Sequence, residues 1–261
     1  MADRHSLPEA LVQAGLRAEL MPRHVAFVMD GSRRWAQARG LTTAEGHEAG
    51  GQALKKIVDL SVAWGIHTIT AFAFSQENST RPEPEVKFGM ELMERGIRDN
   101  VDGFAREGVR MYIIGDRSRM PASLQDAARE AEEMTRNNSH CHFTIAIYYS
   151  GQWDIAQACR ELATKVQDKV LTPEDIDGAT LAGHLATNVL GAGELACPDL
   201  VIRTGGDLRL SNFLLWQSAY SELYFTGTMW PAFGADEYLL ALKDFQTRER
   251  RFGQRELSQA E

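Results

Sequence analysis

Three short clusters of charged and hydroxyl residues carry most of the chemistry open to this chain. The first, Met29-Asp30-Gly31-Ser32-Arg33-Arg34-Trp35-Ala36, follows an apolar run and sets a carboxylate beside two arginines at the start of a helical stretch. Basic side chains are unfavourable there, because the amino end of a helix already carries partial positive charge. A bound anion resolves the conflict. Backbone N–H groups at the helix start, with Arg33, Arg34 and Arg39, suit a diphosphate, and Asp30 is placed to hold a magnesium ion bridging its oxygens. From this stretch alone, a solvent-facing turn with Asp30 paired to an arginine fits equally well.

The second cluster, Phe74-Ser75-Gln76-Glu77-Asn78-Ser79-Thr80-Arg81-Pro82, gathers hydroxyls, a carboxylate, an amide and an arginine. Its plainer reading is a loop capping the next helix. The third, Arg203-Thr204-Gly205-Gly206-Asp207-Leu208-Arg209-Leu210-Ser211-Asn212, has two glycines that let the backbone turn tightly, while Arg203, Arg209 and Ser211 can converge on phosphate oxygens. His47 serves as a phosphate donor or a helix cap, with capping the better fit. Glu222, beside an apolar strand, reads as structural. The other histidines, His24, His67, His140, His142 and His184, lack ligand spacing and read as surface or strand-edge residues. No Gly-x-x-x-x-Gly-Lys-Ser/Thr and no Gly-x-Gly-x-x-Gly after a strand is present, so nucleotide cofactors lose support.

The elements that must position these clusters alternate. Apolar runs at 25–29, 66–74, 109–114, 143–149, 199–203 and 223–225 read as strands. Helical periodicity marks 32–39, a segment from Glu48 to Trp64, 84–106, a helix opening near Pro121, 153–167, 179–189, a short helix over Asn212–Ala219, and 235–251. This pattern predicts a single α/β domain with a mainly parallel central sheet flanked by helices. Ligands of such sheets bind at the carboxyl ends of the strands, where all three clusters fall together with Ser150–Gln152. Three such clusters in an acidic protein point to a site for two diphosphates.

At 261 residues and 44% hydrophobic content the chain can bury a sizeable core, and its net charge of -8 argues against nucleic acid or an anionic membrane surface as a general partner. Cys141, Cys159 and Cys197 lie far apart with no zinc spacing, which fits a reducing compartment. No apolar run approaches the ~20 residues of a membrane span.

The clusters, with Gly46-His47, Ile113-Ile114-Gly115-Asp116, Arg203 through Gln217, Glu222-Leu223-Tyr224-Phe225 and Arg251-Phe252-Gly253, occur in an order that resembles the cis-prenyltransferase family. The resemblance runs from about Pro22 to Gly253, which sets expected bounds of 22–253 for the catalytic domain, 1–21 for an amino-terminal extension and 254–261 for a tail. It implies a magnesium-dependent transferase that condenses isopentenyl diphosphate with an allylic diphosphate, working as a homodimer with an apolar tunnel for the prenyl tail. Asp30 would hold Mg2+ and assist departure of the allylic diphosphate, which Gly31, Arg33, Arg34 and His47 bind, with Trp35 flanking the substrate. Ser75 and Asn78 would position the reacting groups and the departing proton. Arg203, Arg209 and Ser211 would bind isopentenyl diphosphate, and Glu222 would be a second metal contact. Ser32, Glu77, Arg81 and Leu210 complete the expected substrate-binding set. The expected compartment is the cytoplasm, or the plastid stroma if a transit peptide is removed.

Four positions depart from the family pattern: Ser32 in place of Asn, Thr43 in place of Arg, Ser79 in place of Trp and Leu208 in place of a polar residue. Ser32 and Ser79 touch the expected reacting centre, so an irregular head-to-middle coupling, as in lavandulyl-type synthases, stands as the alternative. A noncatalytic partner subunit is a third reading, disfavoured because Asp30, Arg34, Arg203, Arg209 and Ser211 are all present. In this family the helix after Pro82 lines the tunnel. Phe88, or the Met90 and Met93 pair, is expected to fill it, and Glu94 and Arg95 to make its far end polar, giving a short product; Phe88 facing the sheet and the charges facing solvent is the competing arrangement.

Overall fold

The computed structural model describes residues 7–191 and 194–252. Six strands form one sheet: β1 (His24–Val28), β2 (Thr68–Ser75), β3 (Val109–Ile114), β4 (Cys141–Tyr149), β5 (Leu200–Arg203) and β6 (Glu222–Phe225). Their order is β3-β4-β2-β1-β5-β6 and every pairing is parallel. β1 is buried at all five positions, as a central strand covered on both faces must be. His24, expected at the surface or at a strand edge, opens β1 but is fully buried and shares a 2.8 Å hydrogen bond between its Nε2 and Thr70 Oγ1.

The helices are α1 (Glu9–Gln13), α2 (Ser32–Gln37), α3 (Thr43–Ala63), α4 (Glu83–Arg106), α5 (Ala122–Met134), α6 (Gly151–Gln167), α7 (Gly178–Ala182) and α8 (Ala235–Gln246). α3 begins five residues before the expected Glu48, because Thr42 and Glu45 form a capping box in which each side chain bonds the other's backbone N–H. His47 therefore lies inside the helix and caps nothing. The helix expected over 179–189 divides into α7 and a 3-10 turn, Ala186–Leu190. The one expected over Asn212–Ala219 does not form: Ser211, Asn212 and Leu214 have φ of 51°, 62° and 44°, and left-handed residues interrupt a right-handed helix.

A large core on one face joins Phe27, Ile57, Ile69, Met111, Phe143 and Tyr238, and takes in Leu11 and Leu16 from the amino-terminal segment. A smaller one on the other face joins Val28, Tyr149, Phe213 and Leu214. β1 continues to β2 on one side, whereas β5 closes on its other side, so the strand order reverses beside β1. The crevice at such a switch point opens beyond the carboxyl ends of β1 and β5.

Candidate active site

Asp30, two residues past β1, projects into that crevice with its backbone fixed. Its carbonyl accepts from Thr204 Oγ1 at 2.7 Å and from the Trp230 N–H at 2.9 Å. Gly31 follows at φ 107°, and a Cβ there would stand 2.9 Å from Met229 Cβ, so only glycine makes this turn. Gly31 is the residue before α2. The carboxylate of Asp30 accepts from Arg203 Nη2 at 2.8 Å and from Arg34 Nη2 at 3.2 Å. Burial would raise its pKa, but Arg203, by hydrogen bond and charge, and Arg34 outweigh burial and hold it below the ordinary carboxylate value.

Arg203 ends β5 and is nearly enclosed, with its side chain 5% exposed. Its Nη1 donates to the Arg209 carbonyl and to Ser211 Oγ, which shapes the loop that follows. Arg209 is exposed and bonds Asp207 at 2.6 Å. Gly205, at φ 86°, brings this loop against α2, and a Cβ there would lie 2.7 Å from Arg34 Nη2.

At the end of β2, the register with β4 shifts between Phe72 and Ser75, a local irregularity of the strand. Ser75 and Asn78 then lock each other, the Ser75 N–H donating to Asn78 Oδ1 and the Asn78 N–H to Ser75 Oγ, both at 3.1 Å. Across the opening, Arg81 bonds Glu85 at 3.2 Å and His47 Nε2 stands 4.0 Å from the same carboxylate. Burial lowers the His47 pKa and the charge of Arg81 lowers it further, against Glu85, so its imidazole is neutral at pH 7.

These groups surround the mouth of a cleft of about 1200 Å³. Asp30, Gly31, Ser32, Arg33, Arg34, His47, Ser75, Asn78, Arg81, Arg203, Arg209 and Ser211 all line it. Its inner walls are apolar, with Leu54 and Val58 from α3, Leu92, Met93, Ile97 and Phe104 from α4, and Met111, Phe143 and Ile145 from the sheet. Gln52, Lys55, Arg95, Asp99 and Asn100 edge the space between α3 and α4, where Arg95 bonds Glu48 at 2.9 Å.

The Prenyltransf family model, that of undecaprenyl diphosphate synthase, matches residues 28–253. The chain belongs to this family. It is 50% identical over 248 residues to cis-prenyltransferase 4, chloroplastic, of Solanum lycopersicum, covering 95% of this chain and 80% of that protein. It is 47% identical over 236 residues to a chloroplastic (2Z,6Z)-farnesyl diphosphate synthase of the same species, covering 90% of this chain and 80% of that protein. The crystal structure of lavandulyl diphosphate synthase from Lavandula x intermedia with dimethylallyl diphosphate matches with a TM-score of 0.87 and 41% identity, over 90% of this chain and all of that one. This chain is accordingly a transferase of the cis-prenyltransferase kind.

Several residues expected at the site of this prenyltransferase lie elsewhere. Glu222 opens β6 in register with Leu200, at the amino end of the sheet, and faces Arg248 at 3.6 Å. Parallel pairing puts it roughly 15 Å along the strands from Asp30, at ~3.3 Å per residue, so the two carboxylates do not converge within one chain. Trp35 is off the cleft lining, its ring stacked under Arg39 at 4.3 Å. Leu210 packs on the smaller core. Glu77 turns away from the cleft to accept from Asn212 Nδ2 at 2.8 Å. On α4, Met90 is buried in the main core, Phe88 lies off the cleft, and Glu94 accepts from Arg98 and Ser123. Asp207, Glu85 and Thr204 also take part in the site, and their signal in the sequence is their place within or beside the charged clusters.

Proposed function

We propose that this chain condenses isopentenyl diphosphate with a short allylic diphosphate to give a cis-prenyl diphosphate of roughly two to four isoprene units, a limit set by the apolar surface available to the tail. The observation that carries this reading is a cleft in which an arginine-bound carboxylate, Asp30, stands at the mouth and apolar walls continue inward. The allylic diphosphate occupies the Arg33, Arg34 and His47 side, and isopentenyl diphosphate the Arg209 and Ser211 side.

The donor set suits magnesium: no group of three His, Cys, Asp or Glu exists among the described residues, but this cation commonly takes one or two carboxylates and completes its shell with phosphate oxygens and water. Asp30 would hold it, and it would supply charge neutralisation on the leaving diphosphate. Arg34 and Arg33 then bind and orient that group. Neutral His47 donates a hydrogen bond to it. The allylic C–O bond breaks and its electron pair leaves with the diphosphate, the alkene of isopentenyl diphosphate attacks through C4, and C2 gives up a proton to quench the cation at C3, with Ser75 and Asn78 positioned to direct it.

The growing tail enters the apolar arm. Burying each five-carbon unit gains about 4 kcal/mol at ~0.8 kcal/mol per carbon, until it meets the polar edge around Lys55, Arg95 and Asp99, where the gain ends. Head-to-middle coupling of two dimethylallyl units is the second reading, supported by the similarity to lavandulyl diphosphate synthase and by Ser32 and Ser79. The intact set Asp30, Arg34, Arg203, Arg209 and Ser211 disfavours a noncatalytic subunit.

Residues 22–253 form the catalytic unit in this reading, which works as a homodimer in the plastid stroma. Partly exposed edge strand β6 and exposed Trp216 and Tyr220 support the first, and the chloroplastic relatives the second. Among the described residues no helix is long and apolar enough to cross a membrane. The test is incubation of the purified chain with labelled isopentenyl diphosphate, magnesium and allylic primers, with chromatography of the dephosphorylated products: short cis-prenols support head-to-tail transfer, and a branched ten-carbon alcohol from dimethylallyl diphosphate alone supports the second reading.

A further inference from the structure

Asn212 makes three hydrogen bonds that reach two separate parts of the sheet's carboxyl edge. Its Nδ2 donates to Glu77 Oε1, past β2, at 2.8 Å. Its Oδ1 accepts from the Gln152 N–H at 2.9 Å and its carbonyl from the Gly151 N–H at 2.6 Å, both at the start of α6 just past β4. Asn212 itself follows β5. A carboxylate needs a donor and a backbone N–H needs an acceptor, so the amide has one satisfactory orientation, and no other side chain of this length offers both. The residue holds φ 62°, a region that asparagine tolerates better than most.

We infer that Asn212 is a positioning residue that, through Glu77, sets the Ser75–Asn78 loop against the Arg203–Ser211 loop, so that the two reactants meet in one geometry. Each end of the link is anchored. Glu77 precedes Asn78, whose side chain and N–H are both bound to Ser75. Gln76 fixes the same loop to β4, its N–H donating to the Tyr149 carbonyl and its Nε2 to the Tyr148 carbonyl, each at 3.2 Å. On the other side Ser211 accepts from Arg203, which holds Asp30. Glu77 is ionised: burial would raise its pKa, but bonds from its own N–H, from Asn212 and from Ser75 outweigh burial and lower it. The bond from Asn212 is thus charge-assisted and stronger than a neutral one. Glu77, expected among the substrate-binding residues, acts here as the receiver of this link.

The inference rests on the prenyl-transfer reading, and its test separates the two. Asn212→Gly keeps the left-handed backbone and the carbonyl bond to Gly151 while deleting both side-chain bonds. Its kcat is expected to fall on the order of 10²-fold, as a misplacement of ~1 Å can cause, with the KM of each diphosphate changed far less. Amide hydrogen exchange at Ser75 and Asn78 should accelerate in the same variant, a readout independent of activity. Asn212→Asp sets two carboxylates face to face. Its loss of kcat relative to wild type should deepen as pH rises and both ionise, since like charge raises the pKa of one of them. Adding Glu77→Gln, whose Nε2 can donate to the new carboxylate, should recover at least ~10-fold.

Wild-type kcat in Asn212→Gly, with or without faster exchange, would overturn the positioning role. So would an Asn212→Asp/Glu77→Gln double variant no better than Asn212→Asp. Absence of transfer by the wild type would instead reject the functional reading, and unchanged exchange at Ser75 and Asn78 would then still count against the link. Should Asn212→Asp fail to fold, the glycine variant decides alone.

Discussion

Arg203 Nη2 lies 2.8 Å from Asp30 Oδ2, so the guanidinium that ends β5 and the carboxylate that follows β1 hold each other across the switch point of the sheet. Asp30 remains 29% exposed toward the cleft, while Arg203 is 5% exposed, which gives the pair one face for a ligand and one for the protein. Asp30→Asn keeps the shape and removes the charge. Turnover is expected to fall at least ~10²-fold, because the group proposed to hold the metal, which also organises the arginines, is lost. Stability should fall by roughly 1–3 kcal/mol, since a buried guanidinium loses its ionised acceptor. Steady-state kinetics and urea melts measure the two effects.

Arg203 and Arg209 sit six residues apart and should behave differently. Arg209 is 60% exposed and bonds only an exposed carboxylate, so Arg209→Ala should raise the KM for isopentenyl diphosphate several-fold, more than that for the allylic primer, with stability changed by under ~0.5 kcal/mol. Arg203→Ala removes the group that bonds Asp30, Ser211 and the Arg209 carbonyl. It should lower stability and impair both substrates. Paired KM determinations and melts on each variant check the contrast, and equal behaviour of the two would refute the assigned division.

His24 sets a pH limit on stability. Burial lowers its pKa from 6.5 to about 4, against the opposing charge of Asp199 and the carbonyls of Cys197 and Leu195. The unfolded chain takes up this proton below pH 6.5, whereas the folded chain resists until about pH 4. Stability is therefore unaffected above pH 6.5 and declines as pH falls between those values, by up to roughly 3 kcal/mol. In His24→Gln that part of the decline should vanish. Urea midpoints at pH 7, 5.5 and 4.5 for both proteins give the comparison.

Product length should answer to the residues that line the cleft. Met93 lines it and Phe88 does not. Met93→Ala, which opens the apolar arm, should shift products toward longer chains, and Phe88→Ala should leave the distribution unchanged. Chromatography of dephosphorylated products reads both. Lengthening by Phe88→Ala alone would show that the tail follows another path.

Much of the scaffold is legible from local pattern. Continuous apolar runs such as Val25–Val28 and Phe143–Tyr149 have few alternatives to a buried parallel strand, and the clusters at their ends mark the cleft before any coordinate is known. What is not legible depends on long-range geometry or on short polar signals. The capping box of Thr42 and Glu45 is a local signal, but the apolar spacing that marks this helix begins only at Leu54 and points to a later start. The turn over 212–219 hides its left-handed residues behind a helical composition, since Leu214 at φ 44° is unexpected for a β-region or helical side chain. Glu222 looks like a strand-end carboxylate until pairing fixes which end. The helical face of α4 that meets the cleft is set by how far α3 stands away, which no spacing rule contains.

The most direct measurement of the central claim is incorporation of labelled isopentenyl diphosphate by the purified wild-type chain and by Asp30→Asn, each with and without a magnesium chelator. The account predicts that the wild type forms a cis-prenyl diphosphate of two to four units, that chelation abolishes it, and that Asp30→Asn retains no more than ~1% of the rate, as expected when the group holding the metal is lost. Absence of incorporation by the wild type with every allylic primer, or an undiminished rate in Asp30→Asn, would contradict it.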